Sequence, residues 1–371
     1  MTYTIFTTDK TLTLSNVVPD SKVIGDKFGL LPSYYHENNY IEDKVETIRN
    51  NMMEAGRNSF TFAFFTDPHW GKNAKQSPRL LKYILDNTSV NNVVCGGDLI
   101  AEGTHDYAVE LMTDFTNAFR QYGISFPVCI GNHDRNWNPY ETQRDDVTRK
   151  LTESEVWALI EAQYDKHAPV YFGDPDYGFN FYVDYSESNT RLIFIDTGDT
   201  RNASGTAADH TDLPAGETAQ GIYWRDYALL GDALMDAGNK NIIIVAHALF
   251  VDPVSTNSLG VVGTRLCKLS REYNRRTNGT GAWYDYDFSA AQGHVYLVIG
   301  GHSHSDMSKV DIDPPWFMTD CDMLNTSSSS DPRPVGTIEE QVIDVVTVNY
   351  TTGGIKLVRV GGGSDRQYPA T

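Results

Sequence analysis

Asp67-Pro68-His69, Gly97-Asp98, Gly131-Asn132-His133-Asp134, Ala246-His247 and Gly301-His302-Ser303-His304 bring together the side-chain types that bind divalent cations. Asp67 and His69 stand two apart, so an extended backbone aims both to the same side, and Pro68 stiffens the turn. Asp98 follows Gly96-Gly97, which lets the chain turn sharply and come close to a ligand; a carboxylate there can bridge two cations. Asn132 offers a neutral oxygen, which leaves His133 free for proton transfer. His247 adds an imidazole, and His302 and His304 can each reach a different ion. The donors are oxygen and imidazole with no thiolate, a set that suits Mn, Fe, Zn or Ni. Taken singly, a DxH or HxH is an ordinary turn, and His247 alone reads as a core histidine. All five in this order read as a site for two metal ions.

The elements that must position these residues are legible around them. Apolar runs at 59–66, 91–95, 126–130, 241–245 and 295–299 each end at one of the five points. Continuous apolar runs are what a parallel sheet buried on both faces produces, and ligands collect beyond the carboxyl ends of such strands. Helices are expected at 77–87, 105–122, 153–164 and 224–235. The second carries Ala108, Leu111, Met112, Phe115, Phe119 and Tyr122 on one face. Further strands are expected at 178–184, 191–195, 342–350 and 355–360, giving alternating α/β with extra strands at the C-terminal end. Residues 2–8 and 11–18 alternate threonine with apolar residues around Asp9-Lys10, as a β-hairpin does. A hairpin this small needs a body or a partner to lean on. A helix over 40–55 follows, with Ile41, Val45, Ile48 and Met52 as its core stripe and Gly56 as its stop. The expected organisation is an N-terminal arm and linker over 1–38 and one large domain over 39–371, with its motif core at 59–308 and C-terminal strands at 309–371.

Composition removes other classes. The 371 residues hold 30 Lys+Arg and 49 Asp+Glu, a formal charge of −19, which repels nucleic acid and anionic membranes alike. No apolar run approaches the roughly 20 residues that span a bilayer, so membrane insertion is not expected. The N-terminus lacks the basic and apolar segments of a secretory signal. Cys95, Cys129, Cys267 and Cys321 form no CxxC pair, and thiols in a reducing compartment are expected. The expected location is the cytoplasm, with attachment to a virion as the second reading.

The series DxH … GD … GNHD … H … GHxH resembles the calcineurin-like metallophosphoesterase superfamily, over Phe60 to His304 with no motif missing. The resemblance implies a four-layered α/β sandwich, two mixed β-sheets flanked by helices, here with a small N-terminal hairpin and helix extension. It implies that Asp67, His69, Asp98 and His304 hold one ion and that Asp98 bridges to a second, completed by Asn132, His247 and His302. It further implies that His133 protonates the leaving oxygen or stabilises the transition state, that Asp134 orients it and that Arg135 contacts the phosphate. Two cations about 3.5–4 Å apart can activate a bridging water as nucleophile and clamp phosphoryl oxygens, so phosphoester hydrolysis is expected, with a phosphodiester as substrate. The sequence departs from many members in reading Ala246-His247-Ala248-Leu249, without a second histidine, and 199–217 and 251–292 have no counterpart. Its C-terminal tail is similar to those of bacterial and phage members.

Substrate contacts are expected from 251–292, which holds Arg265, Lys268, Arg271, Arg275 and Arg276 together with Tyr273, Trp283, Tyr284 and Tyr286. Lying between two ligand-bearing strands, it is expected to overhang the metals. Arg265, Arg271 and Arg275 suit bidentate phosphate contact, with Tyr273 as a stacking surface; a solvated helix face is the plainer alternative. Beside phosphodiester hydrolysis stand two other readings. One is a nuclease, disfavoured by charge. The other is a phage tail or virion protein whose arm makes a homo-oligomer or docks on neighbours, and whose fold cleaves a host envelope polymer of the teichoic-acid type.

Overall fold

Strand β1 (Ser59–Phe65) reads Ser-Phe-Thr-Phe-Ala-Phe-Phe and is apolar at nearly every position because it lies inside a sheet, between strands on both edges. Phe62, Phe64 and Phe65 are wholly buried, each contributing roughly 1.5–3 kcal/mol by the transfer of its surface from water. The computed structural model describes residues 31–70, 76–136, 147–164, 170–171, 179–196, 224–248, 261–280, 285–322 and 333–368. The hairpin expected over 2–18 lies outside the described residues.

Two mixed sheets make the framework. In the first, β1 pairs in parallel with β2 (Val93–Cys95) and antiparallel with β12 (Val342–Asn349). Beyond β12 lie β13 (Ile355–Gly361) and β14 (Arg366–Tyr368). The second sheet has a parallel centre of β5 (Thr190–Ile195), β6 (Asn241–Ala248) and β9 (His294–Gly301). It is extended on one side by β4 (Phe181–Tyr185) and β3 (Val170–Tyr171), and on the other by β11 (Trp316–Met318) and β10 (Met307–Lys309). A separate hairpin joins β7 (Asn278–Thr280) to β8 (Asp285–Asp287).

The pleat of the second sheet divides its apolar residues between two cores. Leu192, Phe194, Ile243, Val245, Leu297 and Ile299 point to the first sheet and share its core. Their neighbours Ile193, Ile195, Ile242, Ile244 and Val298 face Leu230 and Leu234 of helix Trp224–Met235 and Leu269 of helix Val261–Arg275. Helices Tyr40–Ala55 and Ser77–Asn87 bury Ile41, Ile48, Leu80, Leu81 and Ile84 in the core of the first sheet. The expected four-layered α/β architecture is the observed one.

Local sequence explains the element ends that matter for the site. Thr104 caps helix His105–Arg120 through the Tyr107 amide, and Thr152 and Glu155 form a reciprocal capping box on helix Glu153–Ile160. The run 126–130, expected as a strand, makes only an isolated bridge from Val128 to Cys95. Residues Ser33–Asn39, expected as part of a linker, form a 3-10 segment attached to the body: Tyr35 is wholly buried and the Tyr34 hydroxyl donates to Glu340. All four cysteines are buried free thiols. No helix among the described residues is long and apolar enough to cross a membrane.

Candidate metal centre

The five sequence points converge where the carboxyl ends of strands from both sheets meet. Asp67 and His69 follow β1, Asp98 follows β2, His247 is the next-to-last residue of β6, and His302 and His304 follow β9. Ligand atoms of Asp67, His69, Asp98 and His304 all lie within 4.8 Å of one another, and so do those of Asp98, His247 and His302. Asp98 belongs to both groups. Its Oδ2 stands 3.1 Å from His247 Nε2 and 3.7 Å from His69 Nε2. Asp67 Oδ1 stands 3.2 Å from His304 Nε2, and the Nε2 atoms of His69 and His304 are 3.1 Å apart.

The backbone is bent to achieve this. Asp67, His69, Asp98, His302 and His304 all have positive φ, between 39° and 74°. Each such residue costs on the order of 1–3 kcal/mol and persists only where its surroundings over-determine it. Two glycines make room for the carboxylates. A Cβ on Gly131 would collide with the Asp98 side chain and amide, and one on Gly301 would collide with Thr66 Oγ1 and Asp67 Oδ2. Neighbouring donors fix the carboxylates: the Thr66 hydroxyl and the His302 amide donate to Asp67, and the His133 amide donates to Asp98.

These residues fit a pair of divalent ions. His247 Nδ1 lies 2.8 Å from the Gly96 carbonyl, which can only accept, so Nδ1 carries a proton and Nε2 is the nitrogen that faces the site and would bind an ion on losing its own proton. Asn132 Oδ1 is buried and has no hydrogen-bond partner among the described residues. Burial would lower the affinity of His247 for a proton, but Asp98 and Asp67 outweigh it and push its pKa up to about 10. The same anionic field attracts a cation. Burial holds His69 and His302 down at about 4, so both imidazoles are neutral at neutral pH and able to serve as ligands. Burial opposes ionisation of Asp67, yet His247 and His304 hold its carboxyl well below the usual range.

His133 stands at the edge of the cage, Nε2 3.8 Å from Asp98 Oδ2 and Nδ1 3.0 Å from Glu102 Oε1. Burial opposes its charge, but Asp98 and Glu102 raise its pKa to about 9. Glu102 is a functional candidate that sequence reasoning missed: it lies four residues beyond Asp98, after the buried Leu99-Ile100-Ala101, and nothing in the local pattern marks it. Asn136 fixes that loop, accepting from the Gly103 amide and donating to the Gly103 carbonyl.

Three expectations are corrected. Asp134 does not orient the His133 ring. Its wholly buried carboxylate accepts from the amides of Asp98, Leu99 and Gly131 and ties the two turns together. Burial and the Asp98 charge push its pKa up to about 7, while the Gly131 and Leu99 amides favour the anion. Arg135 does not face the metals. It is wholly buried, forked against Glu153 and Asp196 with Phe179 beside it.

The third concerns the arginine-rich segment. Residues 249–260 and 281–284 lie outside the described residues, as does the side chain of Arg265 in helix Val261–Arg275. This helix runs back to the amino end of β9, where Asn274 exchanges hydrogen bonds with the Val295 main chain and Arg276 donates to Gly293. Arg271 donates to the Asp313 carbonyl, Tyr273 is wholly buried against Phe288, and Arg275 is exposed. The length of β9, about 23 Å, separates this helix end from His302. Arg271, Tyr273 and Arg275 are therefore not brought to the metal side.

Two mixed sheets with helices outside, and an oxygen-and-imidazole cage where their strands end, define the class of metal-dependent hydrolases. The chain belongs to the calcineurin-like phosphoesterase family, which matches residues 60–306, and it is a phosphoester hydrolase by that membership. Among solved structures it is similar to a dimetal phosphatase from Danio rerio, with a TM-score of 0.52 and 15% identity over 84% of this chain and 99% of that one. It is also similar to GAP50, the anchor in the inner membrane complex of Plasmodium (TM-score 0.45, 13% identity, 84% and 89% covered). A third is the calcineurin-like phosphoesterase YfkN from Bacillus subtilis (TM-score 0.41, 12% identity, 84% and 91% covered). No curated protein matches it. At these identities the likeness is one of fold.

Proposed function

We propose that the protein hydrolyses a phosphodiester with two divalent ions drawn from Mn, Fe, Zn and Ni. The observation that carries this reading is the position of Asp98, one carboxylate common to both ligand groups. Asp67, His69 and His304 would complete one ion site; His247, His302 and Asn132 would complete the other. Bound there, the ions would supply Lewis acidity toward the phosphoryl oxygens and a water acidic enough to attack at neutral pH.

The chain's own residues do the rest. The carboxylates of Asp67 and Asp98 are held ionised by their donors and their imidazole neighbours. His133, kept protonated by Asp98 and Glu102, is the acid for the leaving alkoxide, with Nε2 as the donating atom and Glu102 fixing Nδ1. Such a donor serves the alkoxide leaving group of a diester and of a monoester alike, and the comparison of the two esters below tests the diester reading. The net charge of −19 argues against a long polyanion such as nucleic acid.

The test strips purified protein with a chelator, reloads it with Mn, Fe, Zn or Ni separately, and compares an aryl phosphate diester with the monoester. Turnover restored by at least one metal, and faster on the diester, is the expected result. Faster turnover of the monoester would overturn the diester assignment.

A further inference from the structure

We propose that Arg359 and Arg366, which belong to neither ligand group, are positioning residues of the metal centre and act on His302 and His304 through Asp306. The proposal rests on the two-ion reading above.

Asp306 ends the short segment Gly301-His302-Ser303-His304-Ser305-Asp306. The two histidines in it have φ of 74° and 49°, a conformation that must be held from outside. One end is held by Asp67, whose carboxylate accepts the His302 amide at 2.9 Å, and by Thr319, whose amide donates to Gly300. The other end is held by Asp306. Arg359 donates to it through Nη1 at 2.9 Å and Nη2 at 2.6 Å, Arg366 Nη1 stands 3.2 Å away, and the Asp320 amide donates at 3.1 Å.

The arginines are themselves fixed to the other half of the site. Arg359 lies opposite Asp344 in the β12–β13 register, and Asp344 lies opposite Phe64, three residues before Asp67. Arg359 and Asp344 are both 0% exposed. Arg359 Nε donates to Asp344 Oδ1 at 2.9 Å, and Asp344 Oδ2 also accepts from Arg366 and from the Thr319 hydroxyl. Two guanidiniums and two carboxylates thus form a neutral clamp between the sheets. On one side is the strand that delivers Asp67; on the other is the loop that delivers His302 and His304. Bidentate, charge-assisted pairs are the geometry that fixes such a distance. The last two strands contribute no ligand, yet they set how far the two halves of the cage stand apart.

The test titrates Mn²⁺ into chelator-stripped full-length protein by calorimetry and follows the metal-induced rise in melting temperature. Asp306→Asn keeps the shape and removes the charge at a side chain that is partly exposed. It is expected to weaken Mn²⁺ binding at least tenfold, within the roughly 10–100-fold range for residues that orient ligands, and to shrink the metal-induced rise. Arg366→Lys, which keeps charge without the fork, is expected to weaken binding about threefold or more. Lys44→Ala removes an exposed pair with Asp365 on the same tail and is expected to leave binding unchanged. A lower melting temperature with unchanged Mn²⁺ affinity in both clamp variants would make the clamp merely structural and overturn the proposal. Wild-type protein that binds no Mn²⁺, Zn²⁺ or Ni²⁺ would instead overturn the two-ion reading itself.

Discussion

Glu102 Oε1 lies 3.0 Å from His133 Nδ1, on the ring edge opposite the nitrogen that faces Asp98. A carboxylate in that place does two things: it fixes the ring, and it favours the protonated imidazole needed in a general acid. Removing its charge while keeping its shape separates this role from metal binding. Glu102→Gln is expected to lower kcat about tenfold or more with metal content unchanged. Because His133 must be protonated to act, activity falls as pH rises through its pKa. The variant lowers that pKa, so the alkaline limb of the kcat profile moves to lower pH. An unmoved limb would show that Glu102 does not govern the acid.

Asp98 and His133 are adjacent in space and are expected to fail differently. Asp98→Asn removes an anion shared by both ligand groups, and bound metal measured by atomic absorption should fall along with activity. His133→Asn should lower kcat by roughly 10²-fold or more while both ions stay bound. Loss of metal in the histidine variant would make His133 a ligand. Chelation of the wild type should also lower its melting temperature. Each ion at a hundred times its Kd stabilises the folded chain by about 2.7 kcal/mol, and Asp67 and Asp98 lose their counter-charges when the ions leave.

The candidate ligand residues are legible because the motifs place Asp, Asn and His at the ends of apolar runs, where packing alone gives no reason for them. The strands of both sheets read alike as continuous apolar runs, so their division between two sheets followed from the family resemblance and not from the runs. Strands β10, β11 and β14 are three residues each, too short to carry a period. Tyr273 lies away from the metals because the direction of its helix, which residue types do not encode, decides the end of β9 it reaches. Glu102 and Asp306 act through folded-back contacts that no spacing announces.

Arg135 illustrates the same difficulty and yields a prediction. It directly follows the GNHD motif, yet its guanidinium is wholly buried between Glu153 and Asp196. Removing one member of a buried ion pair leaves an uncompensated charge, at about 3–5 kcal/mol. Arg135→Ala should therefore unfold at markedly lower denaturant concentration. What enzyme remains folded should keep its KM for a small diester; a raised KM with unchanged stability would restore a phosphate-binding role.

Asp322 contributes a pH dependence to the stability of the fold. Its carboxyl is wholly buried, and burial pushes its pKa up to about 7. The Ser77 hydroxyl lies within hydrogen-bond reach of both Asp322 Oδ2 and Gln341 Oε1 and has one proton to give. A protonated Asp322 can donate to Ser77, which then donates to Gln341, while the Val342 amide donates to Asp322 Oδ1. In the unfolded chain an aspartate titrates near 3.9. Between about pH 4 and pH 7 the folded protein therefore keeps a proton that the unfolded chain has lost. This group's contribution to stability is full below about pH 4 and is lost as pH rises toward 7, with a slope of up to about 1.4 kcal/mol per unit. Asp322→Asn keeps the size, carries no titrating proton and can donate to Ser77. Chemical denaturation at pH 5, 6, 7 and 8 should show the variant gaining on the wild type as pH rises; a pH-independent difference would mean that Asp322 is ionised in the folded protein throughout.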